Sequence, residues 1–424
     1  MQIINKIVWS IAIILIFSNS IYFSVKLKFP QIKLIKIFSS LKNNKKETGI
    51  SSKDTLIMSL ASKIGAGSLA GIAFAIYYGG IGTIFWMWVS SFFVSINCYL
   101  ENILSTIYKE KDHENCKGGP AYYIKKGLNN KNLSIIYCIL AIITYNLGFT
   151  SIQNNTITTL ITNVYPVNKI VISLIIAILT ALVIIKGINK ISNICNKIVP
   201  IMTITYLTLG IIVIILNISK IPTFLIAIIK EAFYPKAIKS GLIYTFIIGI
   251  QKGIFANEAG VGTSAIISGS TNNKDYIKQG NIGIIETYFI SLFITTVTSI
   301  IVISSNYKLI SFNNINGIEL VKYAFNYHFG HFGEIILIII LLLFSFSTII
   351  TVYYYGESNL KFLSNKNSYI KILKIITIII LFFGGIIPSL KVWNVVDTLV
   401  AILAIINISS IYKMKKKLKD VIIK

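Results

Sequence analysis

Arginine is absent: all 40 basic residues are lysine, set against 15 acidic ones, for a net charge of +25 over 424 residues. A surplus of that size invites a nucleic-acid reading. Lysine, however, lacks the planar fork that reads base edges, and no polar stretch is long enough to form a basic soluble domain, so nucleic acid is excluded as a partner. The missing arginine, beside the excess of isoleucine and asparagine, reads as base-composition bias rather than a functional choice. Charge of either sign is scarce, at 13% of residues against about 25% in soluble domains. The four cysteines, Cys98, Cys116, Cys138 and Cys195, lack metal-ligand spacing and read as reduced packing residues. The three histidines, His113, His328 and His331, fall outside the apolar runs and take no role. No Gly-rich phosphate loop is present, which excludes ATP as the driving force. The apolar segments carry no paired His/Asp or Ser/Lys set, so an intramembrane hydrolase is excluded, and with it an enzyme of any ordinary class. No acidic ring or repeated filter sequence supports an ion channel. Nor does a small-residue cleavage site follow the N-terminal apolar run; Lys26, Lys28 and Phe29-Pro30 follow instead, which predicts a retained helix.

What the chain does have is apolar length. Hydrophobic residues make up 54% and the mean hydropathy is +0.75, the profile of an all-α polytopic membrane protein. The runs predict about eleven transmembrane helices, near 6–25, 55–78, 82–108, 134–162, 168–186, 196–217, 238–270, 281–305, 333–358, 370–388 and 394–412. The loops 218–237 and 306–332 are apolar enough to hold short interfacial helices. With the N-terminus outside, inner loops and tail carry roughly 29 lysines and outer segments roughly 9. The C-terminus is therefore placed in the cytoplasm and the chain in the cell membrane as a multi-pass protein. Four acids near predicted span ends, Glu101, Glu286, Glu357 and Asp397, are expected to be solvated or capping.

Two spans are built against their own length. Residues 59–72 (SLASKIGAGSLAGI) hold Gly65, Gly67 and Gly71, small Ala66 and Ser68, and Lys63 in mid-span. Glycine weakens a helix, and a midplane lysine costs roughly 2.5–3.5 kcal/mol. Unwound backbone survives at that depth only where it is buried in protein or lines a cavity. The segment therefore predicts a broken helix whose freed N–H and C=O groups face a ligand. The seventh span repeats the pattern between Gly253 and Gly262, here with Asn257 and Glu258. Pairing the five spans from the second with the five from the seventh puts a broken helix at the head of each half, the arrangement of a secondary transporter's midplane site. Half-helix N-termini suit a carboxylate, unwound carbonyls a cation, and the two together a zwitterionic amino acid with an ion. The domains then run 1–54 (N-terminal helix and cytoplasmic linker), 55–217 (first five-helix repeat), 218–237 (connection), 238–412 (second repeat) and 413–424 (basic cytoplasmic tail).

The residues themselves carry a resemblance. FPQI (29–32), GAGSLAGIAFAI with GGIGTIFWMWVSSFF (65–93), GGPAYYIKKGL (118–128), QNNT (153–156), KGIFANEAGVGTS (252–264), FSFSTII with YYYGE (344–357) and VWNVVDTLVA (392–401) stand in order along the chain. In these blocks the chain resembles the alanine (or glycine):cation symporters, carriers of the leucine-transporter fold with a 5+5 inverted repeat. The resemblance implies import of a small neutral amino acid by alternating access, with sodium as co-substrate and no other cofactor. It also implies a substrate site made by the backbone of Gly65, Ala66, Gly67 and Ser68, by Gln153 and Asn155, and by Phe255, Ala256 and Asn257. A sodium site follows from the Ala61 and Ile64 carbonyls with the Ser347 and Thr348 hydroxyls, neutral oxygens suited to a hard cation. GGPAYYIKKGL becomes a cytoplasmic loop packed on the bundle, with Lys125 and Lys126 at the lipid headgroups.

The chain also departs from that family. The familiar TVGTGN motif reads KIGAGS here, with Lys63, Ala66 and Ser68 replacing Thr, Thr and Asn, and Val352 stands where tryptophan is usual. Alanine or glycine as the substrate is thereby left open. Lys63 could occupy or shield a cation position, pair with Glu258, snorkel to the inner face, or couple a proton; Glu258 could equally pair with Lys252. Lys63 and Glu258 are the coupling candidates. A proton-coupled or uncoupled carrier and a non-transporting amino acid sensor remain as alternatives.

Overall fold

A computed structural model describes residues 2–42, 49–234, 241–306, 317–387 and 390–422. Parts of the predicted linker, of the connection 218–237, of the loop 306–332 and of the basic tail lie outside the described residues. The architecture is helical apart from one short hairpin. Among the described residues, eight helices are long and apolar enough to cross a bilayer, nine when one bent pair counts as a span. Two apolar helices, α9 (Lys169–Ile184) and α12 (Leu242–Asn257), are shorter, at 16 residues each.

α1 (Gln2–Lys26) packs against α5 (Thr83–Tyr108) and α18 (Leu390–Lys413) through buried polar ties, among them Asn19 Nδ2 donating to Asn97 Oδ1 at 2.8 Å. A short helix, α2 (Leu34–Lys42), leads toward α3 (Ser52–Lys63). α3 starts where its sequence says it should. Ser51 and Asp54 form a reciprocal capping box, with Asp54 N–H donating to Ser51 Oγ at 3.2 Å and Ser51 N–H to Asp54 Oδ2 at 2.8 Å. It stops at Ile64, whose ψ of 73° leaves the helical region, and α4 (Ala66–Gly79) resumes at a 50° bend.

The region predicted as a single cytoplasmic loop is more structured. A two-stranded antiparallel hairpin, β1 (Glu110–Asp112) and β2 (Asn115–Lys117), precedes α6 (Pro120–Leu128). α6 buries Tyr122 and Tyr123 against the bundle, while its lysines meet protein as well as solvent: Lys126 pairs with Glu110 at 3.0 Å and Lys125 lies over the Phe362 ring. α7 (Lys131–Ile142) continues through a π-helical stretch, Ile143–Phe149, into α8 (Thr150–Thr162). α10 (Ile188–Leu216) and α11 (Ile221–Phe233) complete the first half.

α12 ends at Asn257, and a six-residue α13 (Thr263–Ser268) follows the interruption. α14 (Tyr276–Tyr288) runs through a second π stretch, Phe289–Ile294, into α15 (Thr295–Ile303). π segments loosen a helix at functional positions, and these two fall on the helices that flank the breaks. α16 (Gly317–Leu363) bends at Gly330, where φ is 61°. α17 (Asn367–Ile386), α18 and α19 (Lys415–Ile422) close the chain. Exposed isoleucines and leucines on α1, α9, α10 and α17, such as Ile14, Leu182, Ile204 and Ile375, form the apolar exterior that lipid covers.

Candidate functional site

Both predicted breaks are present, and they lie side by side, α4 packing on α12 and α13 on α3. At the first, Gly65 is extended (φ −117°, ψ 173°), so the opening N–H groups of α4 have no preceding turn to bond to. Ala66 N–H donates to Gln153 Oε1 on α8 at 3.2 Å, and the Ser68 hydroxyl donates to Gly65 O at 2.8 Å. The space around these glycines is bounded closely. A Cβ on Gly65 would sit 2.8 Å from Thr348 Oγ1 and 2.9 Å from Gln153 Nε2, and one on Gly67 would sit 3.3 Å from Trp393 Cη2 and 3.8 Å from Phe255 Cε1. The head of α4 is thus walled by α8, α12, α16 and α18.

The aromatic wall contains two residues to which sequence reasoning assigned no part. Phe149 stacks on Phe255 with centroids 6.0 Å apart, and the Trp393 ring is tilted against Phe255 at 6.1 Å. Val352, at a position where the resemblance leads to an expectation of tryptophan, is fully buried on α16. Trp393 belonged to one of the recognisable blocks, a signal that could have found it; Phe149 carried none.

The four predicted sodium oxygens separate into two groups. Thr348 Oγ1 lies 2.9 Å from both Ala61 O across the break and Phe344 O of its own helix, and its single proton serves one of the two at a time. Ala61 and Ile64 are fully buried, and the Ile64 N–H remains in α3 through Leu60 O. Ser347 Oγ turns to Phe344 O, with Met202 Sδ at 3.6 Å on α10. Asn155 likewise points away from the break: its amide donates to Gly384 O at 3.2 Å and Ile387 O at 2.7 Å, tying α8 to α17.

The second break is held by side chains from outside it. Glu258 is left-handed (φ 52°), and Gly260 and Gly262 have φ of 85° and 99°. Tyr137 OH donates to Val261 O at 2.9 Å, and Asn407 Nδ2 to Gly260 O at 3.0 Å. Asn257 accepts from Ala259 N–H at 3.0 Å and donates to Ser291 Oγ at 3.0 Å. Ala256 and Phe255 are buried just before it.

Several charge assignments are corrected. Lys63 neither snorkels nor meets Glu258. It is buried, and its Nζ lies 2.7 Å from Glu286 Oε1, with both side chains wholly shielded. Lys252 does not reach Glu258 either; its ammonium sits 5.3 Å from the ring centroids of Phe74 and Phe255. Glu258 Oε2 has no hydrogen-bond partner among the described residues. Glu101, Glu286, Glu357 and Asp397 are all buried rather than solvated. Glu101 accepts from Asn407, Glu357 from Tyr353 and Asp397 from Asn5 and Gln251. The physical reason is that helices continue past the point where an apolar run stops. Glu286 lies ten residues into α14, roughly 15 Å along its axis.

Comparison with known proteins agrees with this geometry. The chain matches the model of the sodium:alanine symporter family over residues 1–424. It is 31% identical to the amino-acid carrier protein AlsT of Bacillus subtilis, over 95% of this chain and 87% of that protein. It is 31% identical to the probable sodium/glutamine symporter GlnT of Bacillus subtilis, over 97% and 87% respectively, and 29% identical to the sodium/alanine symporter AgcS of Methanococcus maripaludis, over 96% and 92%. A chain with two interrupted, facing helices and a family match along its whole length belongs to the sodium:alanine symporter family.

Proposed function

We propose that this protein is a secondary carrier that imports a small neutral amino acid together with sodium by alternating access. The observation that carries the reading is the cluster at the head of α4, where the Ala66 N–H, the Gln153 amide, the Thr348 hydroxyl and the Phe255 and Trp393 rings converge on two glycines. Peptide N–H groups at a half-helix N-terminus with positive dipole favour a carboxylate. The close approach of Trp393 and Phe255 to Gly67 favours a substrate with a small side chain. AlsT, GlnT and AgcS bear names of amino acid carriers or sodium symporters, which supports the same class.

The Ala61 carbonyl and Thr348 hydroxyl, 2.9 Å apart across α3 and α16, are the start of a sodium site of neutral oxygens. Each sodium ion carried inward adds about 2.3 kcal/mol per 100 mV of membrane potential. The eleven crossings and the 5+5 inverted repeat are part of this proposal: α3–α4 and α12–α13 would open the repeats 55–217 and 238–412, with the N-terminus outside and the tail in the cytoplasm. The long helix pair α14–α15 and the bent α16 supply the scaffold on which both breaks rest.

Counterflow in proteoliposomes tests the carrier reading. Vesicles loaded with one unlabelled neutral amino acid at a time should draw in the labelled form when sodium is present. Binding without exchange would instead identify an amino acid sensor, and exchange indifferent to sodium an uncoupled or proton-coupled carrier.

A further inference from the structure

Lys63 is the last residue of α3, at the lip of the first break. Its ammonium donates to Glu286 Oε1, and that same oxygen accepts from the hydroxyl of Ser264, in the opening turn of α13 just beyond the second break. Glu286 Oε2, also buried, has no hydrogen-bond partner among the described residues. One carboxylate on α14 therefore gathers the end of α3 and the start of α13.

Two features make this pair more than a staple. A buried ion pair gives little net stability, because two well-packed apolar side chains of similar volume would serve as well or better. The groups on the acidic side, by contrast, form the beginning of a hard-cation cage: an anionic carboxylate with one oxygen open, and a hydroxyl beside it. In this chain the cation that completes the cage arrives on a tether.

We propose that Glu286 and Ser264 form a second cation site whose occupant is the protein's own Lys63 ammonium, so that this carrier moves one free sodium ion fewer per cycle than it would with a neutral side chain at position 63. The exchangeable ion remains at Ala61 and Thr348. The inference deepens the carrier reading and rests on it for its consequence in transport, while the site itself is testable without transport.

The experiment compares the parent, Lys63→Thr and the double variant Lys63→Thr/Glu286→Gln in two readouts. The first is the steepness of amino acid uptake against sodium concentration in proteoliposomes, at constant ionic strength made up with potassium. The second is the sodium-dependent rise in melting temperature of the purified protein. Lys63→Thr should show a steeper sodium dependence than the parent and a larger sodium-specific melting shift, and the double variant should return to parent behaviour in both. Equal steepness and equal shift in Lys63→Thr and the parent would overturn the proposal. So would a gain that persists in the double variant, or a Lys63→Thr protein that fails to fold even at molar sodium, since the ion should replace the missing ammonium. If the parent takes up no amino acid, the carrier reading falls, and the melting series still decides the cation site.

Discussion

A methyl group on Gly65 would stand 2.8 Å from the Thr348 hydroxyl and 2.9 Å from the Gln153 amide, closer than real Cβ contacts come, and both neighbours belong to the proposed site. Gly65→Ala is therefore expected to abolish uptake while leaving detergent-extracted protein monodisperse by size-exclusion chromatography; undiminished uptake would remove this glycine from the proposed site. Thr348→Val keeps the shape and deletes the hydroxyl that faces Ala61 O. Loss of one oxygen ligand should raise the sodium concentration for half-maximal uptake by about tenfold, equivalent to ~1.4 kcal/mol, with the amino acid dependence at saturating sodium little changed. At this scale sequence reasoning singled out the glycines, because small residues weaken a lipid-facing helix and are tolerated mid-span where they face protein or a cavity, and the family resemblance added Gln153, Ala61 and Thr348, which the structure places beside them. It could not tell Asn155 from Gln153. Both are amides on one helix, two residues apart and so about 200° around its axis, and only the neighbours decide that one faces Ala66 while the other ties down α17.

Each break is an element whose shape depends on others. The second break relies on residues with positive φ, and Gly262 is the least replaceable: a Cβ there would meet Pro120 Cγ and Tyr137 Oη at 2.4 Å. Gly262→Ala should lower the melting temperature by the equivalent of roughly 1–3 kcal/mol of backbone strain plus the cost of displacing α6. Tyr137→Phe, which removes only the bond to Val261 O, should cost about 1 kcal/mol. A thermal-shift series on purified protein would rank the two, and the reverse order would mean that the side-chain bond rather than glycine holds the turn. Both interruptions were legible because glycine and charge fell together in mid-span. The hairpin β1–β2 was not, since three-residue strands of mixed polarity, EKD and NCK, carry too little alternation to separate from loop.

The hairpin matters for the whole molecule because it touches so many parts of it. Asn115 Oδ1 accepts from Ile50 N–H at 3.0 Å and its amide donates to Asn189 Oδ1 at 2.8 Å. Cys116 N–H donates to Ser270 O at 3.2 Å, and Asp112 pairs with Lys361 at 2.8 Å, which also meets Glu357 at 3.0 Å. One strap thus joins the approaches to α3, α10 and α14 and the end of α16, segments that would have to part under the proposed alternating access. Asp112→Asn removes a partly exposed ion pair, worth about 0–1 kcal/mol, so the melting temperature should barely move. The alkylation rate of the buried Cys116 thiol, with a Cys116→Ser protein as background, should nevertheless rise as the strap loosens. An unchanged rate would show that the backbone ladder alone keeps it shut.

Composition and pattern alone determined that this chain lives in a membrane and that two of its crossings are interrupted, because lipid penalises every unpaired peptide group and every stray charge along a crossing; its family rests on the ordered blocks of sequence it shares with known carriers. Tertiary structure alone decided which charges meet. Lys63 and Glu286 are 223 positions apart, and nothing in either local sequence says that one will neutralise the other. That choice depends on how α3, α13 and α14 pack, which brings Lys63 and Ser264 to one carboxylate oxygen.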